Sequence, residues 1–138
     1  MSAQVSSEVR VAVLRLARRL RSQRADTGLS IAFISALGTV ERHGPITPGE
    51  LAEREKVKPP SMTKILATLE SEGYIERTAH PSDGRQSLIR VSPLGKEMLN
   101  DDRRRRDAWL SQRLAGLELH ERETLREAAK IMERLASS

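Results

Sequence analysis

Residues 47–92 constrain the fold more than any other part of the chain, because they carry start and stop signals for several short elements in succession. Thr47 and Glu50 have the spacing of a capping box, and Pro48 takes the first helical position, where a missing N–H costs little. A turn at residues 56–58 precedes a double proline that opens another helix. The stretch therefore begins with two short helices joined by a tight turn.

A β-hairpin is predicted after the second of these helices. Tyr74–Ala79 and Ser87–Val91 contain strand-forming residues, and Asp83-Gly84 between them is a strong reverse-turn signal. Two helices, a tight turn and a hairpin in this order are the plan of a winged helix-turn-helix. The predicted fold class is therefore mainly α with a small β component (α+β).

The second helix of the pair, which runs to Gly73, has a polar face suited to DNA. Its N-terminal half, the end that enters the major groove in helix-turn-helix proteins, carries small polar groups and a lysine. Ser61 and Thr63 can donate or accept hydrogen bonds, and Lys64 can reach a guanine edge or a phosphate. Free backbone amides at this helix end also favour phosphate. A merely solvated polar face is the alternative, and the adjoining turn, double proline and hairpin argue against it. The opposite, apolar face is predicted to consist of Met62, Ile65, Leu66 and Leu69.

The tip of the hairpin is predicted to act as a wing. Arg85 can enter a minor groove there, because the negative potential of that groove attracts arginine. Asp83 is acidic and a poor groove contact, so we interpret it as orienting Arg85 or holding the turn through its side chain. His80 is interpreted as a surface turn residue rather than a pH switch, and a plain turn with a solvated arginine is the alternative for the whole tip. The candidate DNA-binding residues are Lys58, Pro60, Ser61, Thr63, Lys64, Thr68, Arg77, Asp83, Gly84 and Arg85.

The N-terminal part of the chain is predicted to form two helices. Apolar residues within 5–24 recur at helical spacing, and arginines fill the remainder, as a solvated basic face or as contacts to a second subunit or to phosphate. Residues 26–28 interrupt this pattern, and Ser30 lies where its hydroxyl can cap the next helix. Gly44, before Pro45, ends that helix and is suited to a left-handed stop.

A long helix that begins at Pro93 is predicted to change character in its middle. Residues 100–107 contain no apolar side chain, and a helix that is polar all round cannot be packed there. We expect this segment to leave one lobe, cross solvent and enter another. The run Arg103–Arg106 is interpreted as solvated, with a contribution to a DNA-facing field as the alternative. The expected partners of the arginine run are Asp101, Asp102 and Asp107.

After Gly116, a final helix alternates small and large apolar residues, as a close helix–helix contact requires.

Composition narrows the class of partner. The net charge of +5 at pH 7 and the isoelectric point near 10.2 favour a polyanion. Phe, Tyr and Trp occur once each, which argues against single-strand binding on stacked aromatic rings. The absence of cysteine excludes disulfides and thiol-based redox sensing. No apolar run approaches the roughly 18 residues of a membrane span, so no membrane partner is expected and the cytoplasm is the expected location.

Catalysis is not expected from this sequence. His43, His80 and His120 lack the spacing of a metal site, and no phosphate-binding loop or nucleophile motif is present. We therefore predict no catalytic residue, no metal and no cofactor.

Residues 49–99 resemble the DNA-binding lobe of the MarR family of bacterial regulators. The wing motif of the family is Asp-x-Arg followed by an apolar strand and a helix start of the form small-polar–x–x–Gly, and it matches residues 83–85 and 92–95. The resemblance implies one domain over residues 1–138. Within it, residues 1–28 and 100–138 are expected to form a helical dimerisation lobe, and residues 29–99 a winged-helix DNA-binding lobe.

The resemblance also implies a homodimer that binds double-stranded DNA and represses transcription at a palindromic operator. The half-sites are expected about 10 bp apart, or a small multiple of a helical turn. The second helix of the helix-turn-helix is expected in the major groove and Arg85 in the minor groove. By position, Ser61, Thr63 and Lys64 match the residues with which the family contacts bases and phosphates. A sequence-independent architectural DNA-binding protein is the main alternative, and a protein-interaction module is a further one.

The sequence departs from the family at two positions of the turn. Lys56 stands where glycine is common, and Lys58 stands where a serine often caps the helix. Because a lysine cannot cap a helix N-terminus, we expect this end to be frayed until phosphate arrives or to be capped from elsewhere. We interpret Lys58 as a phosphate contact.

A small-molecule effector is a further expectation from the resemblance, because many members are similar to repressors relieved by small anionic or phenolic compounds. Phe33 and Trp109 are candidates to line a ligand crevice, and Arg15 is a candidate to pair with an anion. The alternative is that both aromatic residues are core or dimer contacts.

Overall fold

The computed structural model describes residues 3–23 and 28–138, and there the chain forms six helices and one two-stranded sheet. The predicted order of elements and the predicted fold class are confirmed. Asp26 and Thr27, on which part of the predicted helix break falls, lie outside the described residues. The elements are α1 Ala3–Arg21, α2 Ile31–His43, α3 Pro48–Glu55, α4 Pro59–Ser71, β1 Ile75–Ala79, β2 Ser87–Val91, α5 Pro93–Ala115 and α6 Leu119–Ser137.

The chain divides into two compact units, and the division falls within α5. The winged-helix unit comprises the described residues of 25–103, and the helical unit comprises those of 1–24 and 104–138. None of the helices in residues 3–23 and 28–138 is long and apolar enough to cross a membrane.

The winged-helix unit has a continuous apolar core. The predicted apolar face of α4 is buried, and it packs with side chains of α2, α3, the hairpin and the first turns of α5. The antiparallel hairpin pairs Ile75 with Val91 and Ala79 with Ser87. Ile46 adds an isolated bridge to this sheet, because it exchanges two backbone hydrogen bonds with Ile89. The fully buried large side chains of this unit include Leu37, Val40, Ile46, Leu51, Met62, Leu66, Leu69 and Ile89.

The ends of α2 differ from the prediction. Ser30 occupies the N-cap position, but its side chain makes no capping hydrogen bond. Gly44 is extended, with φ −72° and ψ 157°, so the predicted left-handed stop is wrong. The following proline explains this, because the residue before a proline is pushed towards extended backbone. Glycine is needed there for space, since a Cβ would lie 2.5 Å from the Val40 carbonyl oxygen.

The junction between β2 and α5 ties the hairpin base to the helix. The Ser92 hydroxyl donates to the Gly73 carbonyl at 2.5 Å and accepts from the Gly95 amide at 3.0 Å, so it caps α5. A Cβ on Gly95 would lie 2.2 Å from the Tyr74 carbonyl oxygen. The close contact between the hairpin base and α5 therefore requires the small-polar–x–x–Gly pattern: a hydroxyl at residue 92 and no side chain at residue 95.

The polar middle of α5 is not solvated all round, so that prediction is wrong. Asp102 is only 1% exposed. A buried carboxylate is costly in isolation, and sequence periodicity gives no sign of it. Arg103 forms an ion pair with Glu41 of α2 and a hydrogen bond with Asn100. The Glu41 hydrogen bond raises the pKa of Arg103, and α5 is thereby fastened to α2.

The helical unit leaves apolar side chains uncovered. In its described residues, α1 and α6 have no buried residue. Both helices nevertheless carry the predicted apolar spacing. The exposed large apolar side chains of these two helices are Val5, Val9, Val11, Val13, Leu14, Leu16, Leu119, Leu125, Ile131, Met132 and Leu135.

Candidate nucleic-acid interface

The outer face of α4 presents the predicted polar side chains to solvent. Ser61, Thr63 and Lys64 are exposed, and Thr68 is half-buried. The Thr63 hydroxyl donates to the Pro59 carbonyl at 3.0 Å, which leaves its oxygen able to accept a hydrogen bond from outside. The face can therefore offer an acceptor and a cation to a groove.

The start of α4 is formed without a side-chain cap. Lys58 is the N-cap residue, and its carbonyl accepts the first helical hydrogen bond from Met62 at 3.0 Å, so the expected fraying is wrong. The double proline supplies the reason. Four N–H groups are normally unpaired at a helix start, but Pro59 and Pro60 have none. Only Lys58 and Ser61 retain amides here, so the predicted set of free amides for phosphate is halved.

The turn between α3 and α4 is built from both sides. The Thr47 hydroxyl caps α3 by accepting from the Glu50 amide at 3.2 Å, as predicted. Lys56 ends α3 in the left-handed conformation, with φ 53° and ψ 45°. This conformation costs an L-residue free energy and suits glycine, which explains why a glycine is common in such turns.

The wing tip is organised by Asp83. Its carboxylate accepts from the Arg85 amide at 3.1 Å and from Arg85 Nε at 3.3 Å, and it also accepts from the Gln86 amide side chain. It therefore both holds the turn and orients the arginine. The hydrogen bonds from Arg85 lower the pKa of Asp83. The Arg85 side chain remains 92% exposed, so its guanidinium projects from the tip.

Arg77 connects the hairpin to α4. Its Nε lies 3.0 Å from a carboxylate oxygen of Glu70, near the end of that helix. The other guanidinium donors of Arg77 are not used in this ion pair. Arg77 therefore links the hairpin to α4, a contact that sequence reasoning alone did not assign to it.

His80 closes the base of the wing turn, a role that the sequence analysis missed. Its Nδ1 accepts from the backbone amides of Ser82 and Asp83, each at 3.1 Å. Asparagine and aspartate form such turns routinely, and a histidine two residues before Ser82 was the available signal.

Comparisons with known proteins agree with this geometry. A sequence profile described as the MarR family matches residues 29–87. An HTH-type transcriptional regulator of Mycobacterium bovis, Mb0904, is 45% identical over 130 residues, which are 94% of this chain and 91% of that protein. The chain belongs to the MarR family. It is accordingly a DNA-binding transcriptional regulator.

Solved structures place this MarR-family chain in the same fold. A crystal structure of a transcriptional regulator from Pseudomonas aeruginosa has a TM-score of 0.86 and 32% sequence identity to this chain. The match covers 98% of this chain and 95% of the Pseudomonas chain. Streptococcus pneumoniae FabT, crystallised in complex with DNA, has a TM-score of 0.67 and 18% identity over 99% of this chain and 98% of its own. The second likeness extends to the fold alone.

The helical unit of this MarR-family protein contains an open cleft between α1 and α5. The cleft has a volume of about 720 Å³ and includes two predicted ligand residues, Arg15 and Trp109. The guanidinium carbons of Arg19 and Arg113 lie 5.3 and 5.0 Å from the centre of the Trp109 ring. Phe33, the third candidate, instead packs against the core of the winged-helix unit. The remaining lining residues are Ala12, Leu16 and Arg18.

Proposed function

We propose that this protein is a homodimeric repressor that binds a palindromic operator. In this proposal α4 enters the major groove and Arg85 enters the adjacent minor groove. The observation that carries it is the exposed polar face of α4, together with an arginine that Asp83 holds at the wing tip. A regulator of this kind acts on DNA in the cytoplasm.

The α4 face supports sequence reading rather than charge attraction alone. The Thr63 oxygen can accept from the exocyclic amino group of adenine or cytosine, and Lys64 can donate to guanine. In this proposal Lys58, the N-cap residue of α4, contacts phosphate and so sets the register of the helix on DNA. A purely architectural protein would need the cations but not the hydroxyl acceptors.

The uncovered helices of the helical unit support the homodimer. An exposed apolar stripe on a soluble chain marks an interaction surface, and two of them occur on α1 and α6. A second copy can cover both at once, because a two-fold interface brings the same surface of each chain together. Two-fold symmetry in the protein then requires a palindrome in the operator, with half-sites about one helical turn apart.

The cleft supports relief by a small aromatic anion. Arg19 and Arg113 beside Trp109 provide positive charge, and a carboxylate can pair with a guanidinium in a bidentate manner. We expect salicylate to change the fluorescence of Trp109, which is the only tryptophan, and to release operator DNA. Binding of salicylate with unchanged affinity in an Arg15→Gln, Arg113→Gln variant would remove this cleft from the proposal.

Selection of bound sequences from random DNA tests the proposed function directly. We expect an enriched palindrome whose affinity exceeds that of random DNA by on the order of 1,000-fold or more at physiological salt. A ratio near one would favour the architectural alternative. The absence of DNA binding at any salt concentration would favour a protein-interaction module.

A further inference from the structure

His80 has an uncommon position in the wing turn. Its ring nitrogen Nδ1 lies 3.1 Å from the backbone nitrogens of both Ser82 and Asp83, and 3.3 Å from the Ser82 hydroxyl. The His80 backbone amide in turn donates to the Gln86 carbonyl at 3.2 Å and closes the hairpin. One ring nitrogen thus accepts hydrogen bonds from the two backbone amides at the start of the loop.

This contact fixes the protonation state of the ring. A nitrogen that accepts two N–H hydrogen bonds cannot carry its own proton, so the proton of the neutral ring is on Nε2. Histidine Nδ1 stands the same number of bonds from Cα as asparagine Oδ1, and the contact reproduces the asparagine turn motif. An asparagine side chain can accept these hydrogen bonds at every pH. When histidine is protonated, Nδ1 carries a hydrogen and can no longer accept from the two amides, so the cap is lost.

One charged group near the ring partly offsets that loss, because the Asp83 carboxylate attracts a positively charged ring. Asp83 is the acidic neighbour in the turn, and its lowered pKa keeps it ionised over the range in which histidine titrates. Its carboxylate is already engaged by Arg85, and an exposed ion pair contributes little. On the strands, Arg77 pairs with Glu70. Glu76 and Arg90 are paired in register further along the hairpin from the tip.

We propose that neutral His80 is a positioning residue for the wing, so that operator binding weakens when the ring takes up a second proton at lower pH. The cap holds the loop in which Asp83 aims Arg85. Protonation of His80 releases the loop and disperses the arginine over more conformations. This inference rests on the proposed function, because it assigns a control to the wing contact with DNA.

The test compares the unchanged protein with His80→Asn and His80→Ala. The free proteins are titrated by NMR at the Ser82 and Asp83 amides, and operator affinity is measured over the same pH range. In the unchanged protein we expect both amides to shift in one step with the His80 ring, and affinity to fall by at least about fivefold. In His80→Asn we expect no such step and a change in affinity below about twofold, although His43 and His120 are still present. His80→Ala should bind more weakly than both at pH 8.

Each outcome decides one part of the proposal. Amides that do not follow the His80 ring would overturn the cap. Amides that follow the ring, with an affinity that falls equally in the unchanged protein and in His80→Asn, would overturn the positioning role. If no variant binds DNA at any pH, the proposed function fails, whereas the amide titration still supports or overturns the cap by itself.

Discussion

The two units of this chain solve the problem of burying apolar surface in different ways. The winged-helix unit covers its apolar side chains with its own elements, down to fully buried Leu37, Leu51 and Leu69. The helical unit carries amphipathic helices of equal regularity, yet leaves Ile131 and Leu135 48% and 66% exposed. The first unit is therefore specified by contacts within one chain, whereas we infer that the second completes its core with another copy.

The largest effect is expected from breaking the second core. Ile131→Glu with Leu135→Glu places charges in the proposed interface, and we expect dimers to become monomers in analytical ultracentrifugation. Because the two winged-helix units are then no longer linked, operator affinity should fall by at least about 100-fold. Leu94→Glu is the control, since Leu94 is 50% exposed but lies in the winged-helix unit. A double variant that stays dimeric would contradict the proposed surface.

The next effect concerns the self-contained unit. Gly95→Ala forces a Cβ to within 2.2 Å of the Tyr74 carbonyl oxygen and 2.8 Å of Val91. We expect the free energy of unfolding to drop by about 2–3 kcal/mol in urea denaturation. Gly49→Ala is the matched control, because its Cβ meets no atom within 4 Å. Equal stability of the two variants would show that the junction between hairpin and α5 tolerates expansion.

Removal of a single DNA contact should have a smaller effect. Arg85→Ala is expected to weaken operator binding by about 1–2 kcal/mol without a change in melting temperature, since the side chain is 92% exposed. Lys64→Ala should weaken operator binding by a similar amount. If Lys64 contacts a base, the loss should be larger on the operator than on random DNA. Arg90→Ala, which removes an exposed arginine from β2 away from the tip, is the control for loss of charge. Mobility-shift assays in which Arg85→Ala and Arg90→Ala bind alike would exclude a specific wing contact.

The smallest effect is a stabilisation. Lys56 has φ 53°, so Lys56→Gly should relieve backbone strain and raise the free energy of unfolding by about 0.5–1 kcal/mol. Lys58→Ala is the control and should not stabilise, because Lys58 already has an ordinary φ of −67° and alanine is a poor N-cap residue. A loss of stability in Lys56→Gly would mean that the lysine side chain supports the turn.

Sequence reasoning succeeded where the signal is local. The two faces of α4 follow from helical period, the capping of α3 follows from Thr47, and the turn follows from Asp83-Gly84. It failed where the cause lies far along the chain. Arg103 pairs with Glu41, which is 62 residues away, so the burial of this part of α5 had no local sign.

Two other failures came from competing local rules. Gly44 was expected to be left-handed because glycine favours that region, but the proline after it dominates. The helix start at Lys58 was expected to be frayed for want of a cap, but the two prolines remove donors that a cap would satisfy. Within the candidate site, the role of His80 was missed because histidine is rarely counted among the residues that cap a turn.

We propose that one operator is bound by two copies of the chain joined through their helical units. The most direct measurement is the mass of the complex with the selected operator, by light scattering at protein excess over DNA. For the unchanged protein on the full operator we predict two chains per duplex. For the Ile131→Glu, Leu135→Glu variant on DNA that contains a single half-site, we predict one chain per duplex. One chain of the unchanged protein on the full operator would contradict the account.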